Sequence, residues 1–153
     1  MKNLFLFMAI TLVGLGGCSE KRSQPLAIDN SLTQEEIAAG VLSPEVMWKM
    51  GRVGLASLSP DASRLLYTVT WYNMQENRGV TAIYVRDAAS GEVAQLTDFS
   101  SNNSDPKWNA DGSKIYFLSD LSGSSQIWEM AADGQNPRQL SKLDKDIEGF
   151  GVN

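Results

Sequence analysis

The chain contains no histidine. That single absence removes the commonest general base, the Ser-His-Asp and Cys-His couples, and every zinc site built on imidazole. Only one cysteine, Cys18, is present, so no disulfide can form within the chain. Basic residues are also scarce, 13 Lys and Arg against 18 Asp and Glu. A net charge of −5 argues against a surface that tracks nucleic-acid phosphates. No glycine-rich phosphate loop and no G-x-S-x-G elbow occurs. Neither a cofactor nor a metal is therefore expected. What remains is ordinary for a globular chain of 153 residues, 42% apolar and 20% charged.

The longest apolar run is short. It extends from Leu4 to Leu15, behind Lys2, and is broken by Thr11 and Gly14. A bilayer core takes about 20 apolar residues of helix, so this run has signal-peptide length instead. Leu15-Gly16-Gly17-Cys18 then resembles the lipobox of bacterial lipoproteins. That resemblance implies cleavage after residue 17 and lipid attachment at Cys18. The alternative is an uncleaved anchor or first helix with a chance cysteine. With Ser19 after the cysteine, the lipoprotein resemblance implies the outer membrane of a bacterial envelope, on either face. Residues 18–32 are polar, of mixed charge and contain Pro25, which reads as a flexible tether.

Two helix starts follow within 33–51. Thr33-Gln34-Glu35-Glu36 is a capping box, with Gly40 as its stop. Ser43-Pro44-Glu45 places an N-cap, a first-turn proline and an acid at the positive helix end. Val46, Met47 and Met50 can share one face, Trp48 falls to its side, and Gly51 ends the helix. Docking against a neighbouring domain is the simpler use of that face; a ligand site is the alternative.

From residue 52 the pattern becomes short strands, and it repeats. Leu58-Ser59-Pro60-Asp61-Ala62-Ser63-Arg64-Leu65-Leu66-Tyr67 matches Trp108-Asn109-Ala110-Asp111-Gly112-Ser113-Lys114-Ile115-Tyr116-Phe117 at an offset of 50. Ile83-Tyr84-Val85 matches Ile127-Trp128-Glu129, and Gln95-Leu96-Thr97 matches Gln139-Leu140-Ser141, at an offset of 44. The difference of six residues falls in a loop near Trp71 to Gly79. Four strand-like runs per copy at this period are the mark of propeller blades. Strands are expected near 54–59, 64–71, 81–86 and 92–97, and again near 104–109, 114–119, 125–130 and 137–141. Val152-Asn153 superposes on the first strand of a third copy, so 52–153 reads as an incomplete all-β propeller of two four-stranded blades and the start of a third. Closure takes four to eight blades, which makes a longer parent protein the expectation; assembly from several copies is the alternative.

The segment Leu42 to Val53 runs directly into Leu58-Ser59-Pro60-Asp61, followed by Trp108 to Gly112 and Ile115 to Asp120. Together these residues resemble the start of a secreted bacterial serine peptidase of the prolyl oligopeptidase family, near its acylaminoacyl and dipeptidyl peptidase branch. The likeness covers residues 42–153, and Ala62 departs from it where a glycine is usual. It implies a propeller capping a C-terminal hydrolase domain that cleaves short peptides. No catalytic residue of that domain can be assigned to this chain. The alternative is a non-enzymatic TolB-like propeller lipoprotein that binds envelope proteins.

Other candidate sites have simpler readings. Asp144-x-Asp146-x-Glu148-Gly149 has the spacing that opens a calcium loop, but suits a solvated connection between blades. Ser100 to Asp105 is turn-rich. Trp71, Trp108 and Trp128 could line a carbohydrate or peptide surface, although strand spacing favours packing.

Overall fold

Capping chemistry sets the first elements of the computed structural model, which describes residues 25–152. Thr33 Oγ1 accepts from the Glu36 amide at 3.2 Å, and Glu36 Oε2 accepts from the Thr33 amide at 2.8 Å, starting α1 (Gln34–Ala39). Ser43 Oγ accepts from the Val46 amide and starts α2 (Pro44–Trp48). The helix stops at Trp48, before Gly51, so Met50 lies outside it. Of the expected apolar face only Val46 is buried, while Met47 and Met50 are each 48% exposed. A helix of little more than one turn is too short to present all three.

The rest is strand. β1 (Arg52–Leu58), β2 (Arg64–Asn73), β3 (Arg78–Asp87) and β4 (Val93–Gln95) form one antiparallel sheet in chain order. β5 (Asn103–Trp108), β6 (Lys114–Ser119), β7 (Gln126–Ala131) and β8 (Arg138–Gln139) form a second with the same order. The duplication extends to irregularities: a register shift interrupts β1–β2 between Gly54 and Ala56, and another interrupts β5–β6 between Ser104 and Lys107. The all-β, two-blade expectation is borne out.

The six extra residues of the first copy do not form a loop. They lengthen β2 and β3 to 10 residues each, where β6 and β7 have six, and the turn at residues 74–77 is correspondingly tighter. Ladder pairing continues to Asn73 opposite Arg78, satisfying backbone groups that a loop would leave to water. The outer strands β4 and β8 are shorter than expected, which limits the edge open to foreign pairing.

The two sheets pack face to face. Leu66 and Val85 stand opposite each other on the first, Ile115 opposite Met130 and Phe117 opposite Trp128 on the second. These join Ile83 and Trp108 in one core. Leu66, Ile83 and Ile115 are fully buried, which at about 25 cal/mol per Å² makes this interface the main apolar stabilisation. The opposite face of β2–β3 is also apolar, with Val69, Val80 and Ala82 buried. β1 is the exception: Val53 is 71% and Leu55 63% exposed.

One stretch differs from expectation. Of the tether expected over 18–32, residues 25–31 are fastened rather than free. Leu26 is buried, its amide donates to the Phe99 carbonyl at 2.9 Å, and Asn73 Nδ2 donates to the Ala27 carbonyl at 2.7 Å. Lys49 Nζ reaches the Ser31 carbonyl at 3.0 Å. An apolar side chain placed in a polar segment gains enough by burial to offset its ordering. Residues 142–151, read as a connection between blades, indeed take no strand conformation. Their peptide groups bind side chains and loops of the second sheet instead: Gln126 Nε2 donates to the Leu143 and Lys145 carbonyls, and the Ile147 amide to the Ser125 carbonyl. Val152 lines an open cleft with Leu58 and Trp108.

Candidate functional site

Hydroxyl–carboxylate pairs are plentiful, and their geometry decides what they do. Asp61 Oδ1 accepts from Ser59 Oγ at 2.6 Å, Ser63 N at 3.1 Å and Ser63 Oγ at 2.8 Å. Asp111 Oδ1 accepts from Ser113 N and Asn109 Nδ2, each at 2.8 Å, in the equivalent turn of the second copy. Asp87 binds the Ala89 and Ser90 amides and Ser90 Oγ. Donation from Ser59 and Ser63 holds the Asp61 carboxyl at about 2, and Ser90 and Ser113 lower Asp87 and Asp111 likewise. A carboxylate so weakly basic cannot take a serine proton near neutral pH. These pairs lock turns; they do not activate nucleophiles.

The other sequence candidates fall into place similarly. Asp146 Oδ1 accepts from the Ser125 amide at 2.6 Å, tying the 142–147 segment to the β6–β7 turn. Among the described residues no group of three or more metal-ligating side chains gathers. Within 100–105, Asn103 opens β5 and is buried, its Nδ2 donating to the Ser101 carbonyl at 2.9 Å and reaching the Thr81 carbonyl at 3.4 Å. It couples the two sheets, which the turn-rich reading missed. Cys18 lies outside the described residues.

Aromatic side chains build the features that remain. Trp108 is buried and donates from Nε1 to the Ser57 carbonyl at 3.4 Å, while the Arg64 guanidinium stacks 4.6 Å from its ring and donates to the Gly112 carbonyl. It packs the sheets together, and its edge borders a shallow cleft shared with Leu58 and Val152. Trp71 Nε1 donates to Tyr84 Oη at 3.2 Å, which donates on to Gln95 Oε1 at 3.1 Å. Burial pushes the Tyr84 phenol above its ordinary range. Trp128 is half-buried beside Phe117 and Met130 in an inter-sheet cleft of about 460 Å³, and its Nε1 is the one buried side-chain nitrogen or oxygen among the described residues without a hydrogen-bond partner.

The most site-like surface lies where α2 meets the long hairpin. Trp48 packs edge-on against Tyr72 with centroids 5.3 Å apart, and the Arg52 guanidinium sits 4.7 Å from one ring and 4.6 Å from the other. Each contact of that kind contributes about 0.5–1 kcal/mol at an exposed site. These rings line a cleft of about 570 Å³ together with Ala27, Ile28, Asp29, Glu45, Lys49 and Asn73. Sequence reasoning had Trp48 but not Tyr72, whose partnership depends on the extra length of β2. The cleft offers apolar walls and carboxylates but no nucleophile–base pair.

Two successive four-stranded antiparallel meanders, packed face to face through their inner strands, define a pair of β-propeller blades. The profile of the TolB beta propeller domain matches residues 33–148, and the chain belongs to that family. It is 31% identical over 123 residues to dipeptidyl-peptidase 5 of Porphyromonas endodontalis, covering 80% of this chain and 18% of that protein. It is 34% identical over 126 residues to dipeptidyl-peptidase 5 of Porphyromonas gingivalis, covering 82% and 17%. The chain therefore spans less than a fifth of the length of the curated relatives it matches. Among solved structures, an acylaminoacyl peptidase of Pyrococcus horikoshii is similar with a TM-score of 0.59 at 19% identity, over 70% of this chain and 16% of that one. TolB of Acinetobacter baumannii is similar with a TM-score of 0.52 at 21% identity, over 64% and 23%. These two share the fold. The resemblance to a peptidase propeller, drawn from residues 42–153, is borne out by the dipeptidyl-peptidase relatives.

Proposed function

We propose that the chain is the gating propeller segment of a lipid-anchored serine peptidase that hydrolyses short peptides, with the hydrolase machinery carried by other residues of the same protein. The identity of 34% to dipeptidyl-peptidase 5 of Porphyromonas gingivalis, running through the helical lead-in as well as the blades, carries this reading. The residues described here supply walls, not chemistry. Each Ser–Asp pair is consumed in a turn and there is no histidine, so the segment is inactive alone. Its role is to bound the approach to the active site, as a propeller cap does by admitting only what fits its channel. Lipid attachment at Cys18 places the enzyme at the bacterial envelope, in the outer membrane. Its partners are the lipid bilayer, the hydrolase domain and a peptide substrate; nucleic acid is not among them.

The match to the TolB beta propeller domain supports a second reading, a non-enzymatic propeller lipoprotein that binds other envelope proteins. A fluorophosphonate serine probe separates the two when applied to the full product of the gene. Labelling of that product, with none of residues 1–153 alone, together with release of dipeptides from a peptide substrate, is the expected result. An unlabelled full product favours the binding module. Labelling of the 153-residue chain overturns the assignment of machinery elsewhere.

A further inference from the structure

Residues 25–31 sit on the blades as a bound peptide would. They take neither helix nor strand conformation, and of them only Leu26 is buried and Ile28 half-buried. Two of their contacts are made through main-chain groups alone. The Phe99 carbonyl accepts from the Leu26 amide at 2.9 Å, and Asn73 Nδ2 donates to the Ala27 carbonyl at 2.7 Å. Asn73 does not depend on this segment for its orientation, since its Oδ1 accepts from the Glu76 amide at 2.9 Å within the hairpin turn. An acceptor and a donor offered to neighbouring peptide groups read extended backbone, while a socket reads one side chain. A single buried leucine and a few hydrogen bonds also make a light fastening. The surface continues past the segment on both sides. Pro25 lines the inter-sheet cleft of about 460 Å³, and Ala27 and Ile28 line the cleft of about 570 Å³ beside Trp48 and Tyr72. In the wall of the first, Trp128 Nε1 has no acceptor.

We propose that this end of the blades is a binding site for an extended peptide carrying a leucine-like side chain, with residues 25–28 as its resident occupant. The segment itself specifies the chemistry: an apolar side chain for the socket, uncharged neighbours on either side, and a free amide and carbonyl at the centre. A peptide of that kind displaces the segment rather than adding to it. Joined to α1 through residues 32–33, the segment competes at an effective concentration of about 1 mM, so the intact chain masks its own site. The site is independent of any peptidase activity in the parent protein.

The test uses the whole 153-residue chain in mild detergent and a fluorescein-labelled peptide, Pro-Leu-Ala-Ile-Asp-Asn, followed by anisotropy. Leu26→Asp expels the segment, because an unpaired carboxylate is too costly to bury in the socket. It should raise the affinity for the peptide about tenfold over that of the unmutated chain. A peptide with Asp in place of its Leu should not bind. Adding Asn73→Asp to Leu26→Asp keeps the bond to the Glu76 amide but removes the donor to the peptide carbonyl, and should weaken binding about tenfold. A Leu26→Asp chain that keeps a cooperative urea transition yet binds the peptide no better than the unmutated chain overturns the proposal. Loss of cooperative unfolding in that variant overturns it too, since the segment would then be part of the core rather than an occupant of a site.

Discussion

Trp108 ties the two sheets together: it is buried in the shared core, stacked under Arg64, and bonded to β1 through Ser57. Trp108→Ala should cost about 3–5 kcal/mol, read as a lower urea midpoint, because a large cavity opens between sheets that cannot both collapse onto it. Trp48→Ala should cost far less, about 1 kcal/mol, since it removes an exposed edge contact and one cation–π partner. Equal costs for the two would contradict the division into core pin and surface wall. The sequence distinguished these residues only in part. The strand spacing around Trp108 marks it for packing, whereas Trp48 meets Tyr72 across 24 residues of chain, a contact that no local pattern contains. Leu26 was hidden for the same reason: the short run Pro25 to Ile28 sits in an otherwise polar stretch, and the partner its amide finds, the Phe99 carbonyl, lies 73 residues further along the chain.

At the scale of the element, the duplicated turn offers an internal control. Ala62 and Gly112 occupy the same position in their copies, and both adopt left-handed backbone, with φ of 59° and 72°. That conformation costs a residue bearing a Cβ roughly 1 kcal/mol more than it costs glycine. Ala62→Gly should therefore stabilise the chain by about 0.5–1 kcal/mol, glycine's greater freedom in the unfolded state offsetting part of the gain. Gly112→Ala should destabilise by at least as much, because the added Cβ also meets Pro60 Cδ at 3.3 Å. Thermal midpoints of the two variants should move in opposite directions; a shift of the same sign would refute the equivalence of the turns. Turn chemistry of this kind was legible residue by residue. Strand length was not, since an insertion of six residues reads identically whether it loops out or extends a ladder, and only pairing across the hairpin decides.

For the whole molecule, pH dependence follows from which groups the fold has shifted and which it lacks. Asp61, Asp87 and Asp111 are lowered by serine and backbone donors, and buried Glu129 is lowered by Arg138 and Lys114, with Arg138 Nη2 at 2.6 Å. A depressed folded-state value means the native state binds fewer protons than the unfolded chain. The corresponding stability is complete above about pH 4, the usual unfolded carboxylate range, and drains away as pH falls toward 2, where Asp61 takes up its proton. With no histidine to titrate, stability should be flat from about pH 5 to 8. Ionic strength then separates the two kinds of carboxylate. Glu129 faces partners whose side chains are 46% and 67% exposed to solvent, so about 1 M salt should erase most of its share. The aspartates face neutral hydroxyls and amides, whose bonds salt barely screens, so the acid limb should persist in high salt and shrink in Asp61→Asn. An acid transition that vanished in salt, or one unchanged by Asp61→Asn, would mean that ion pairs rather than locked turns hold the blades together.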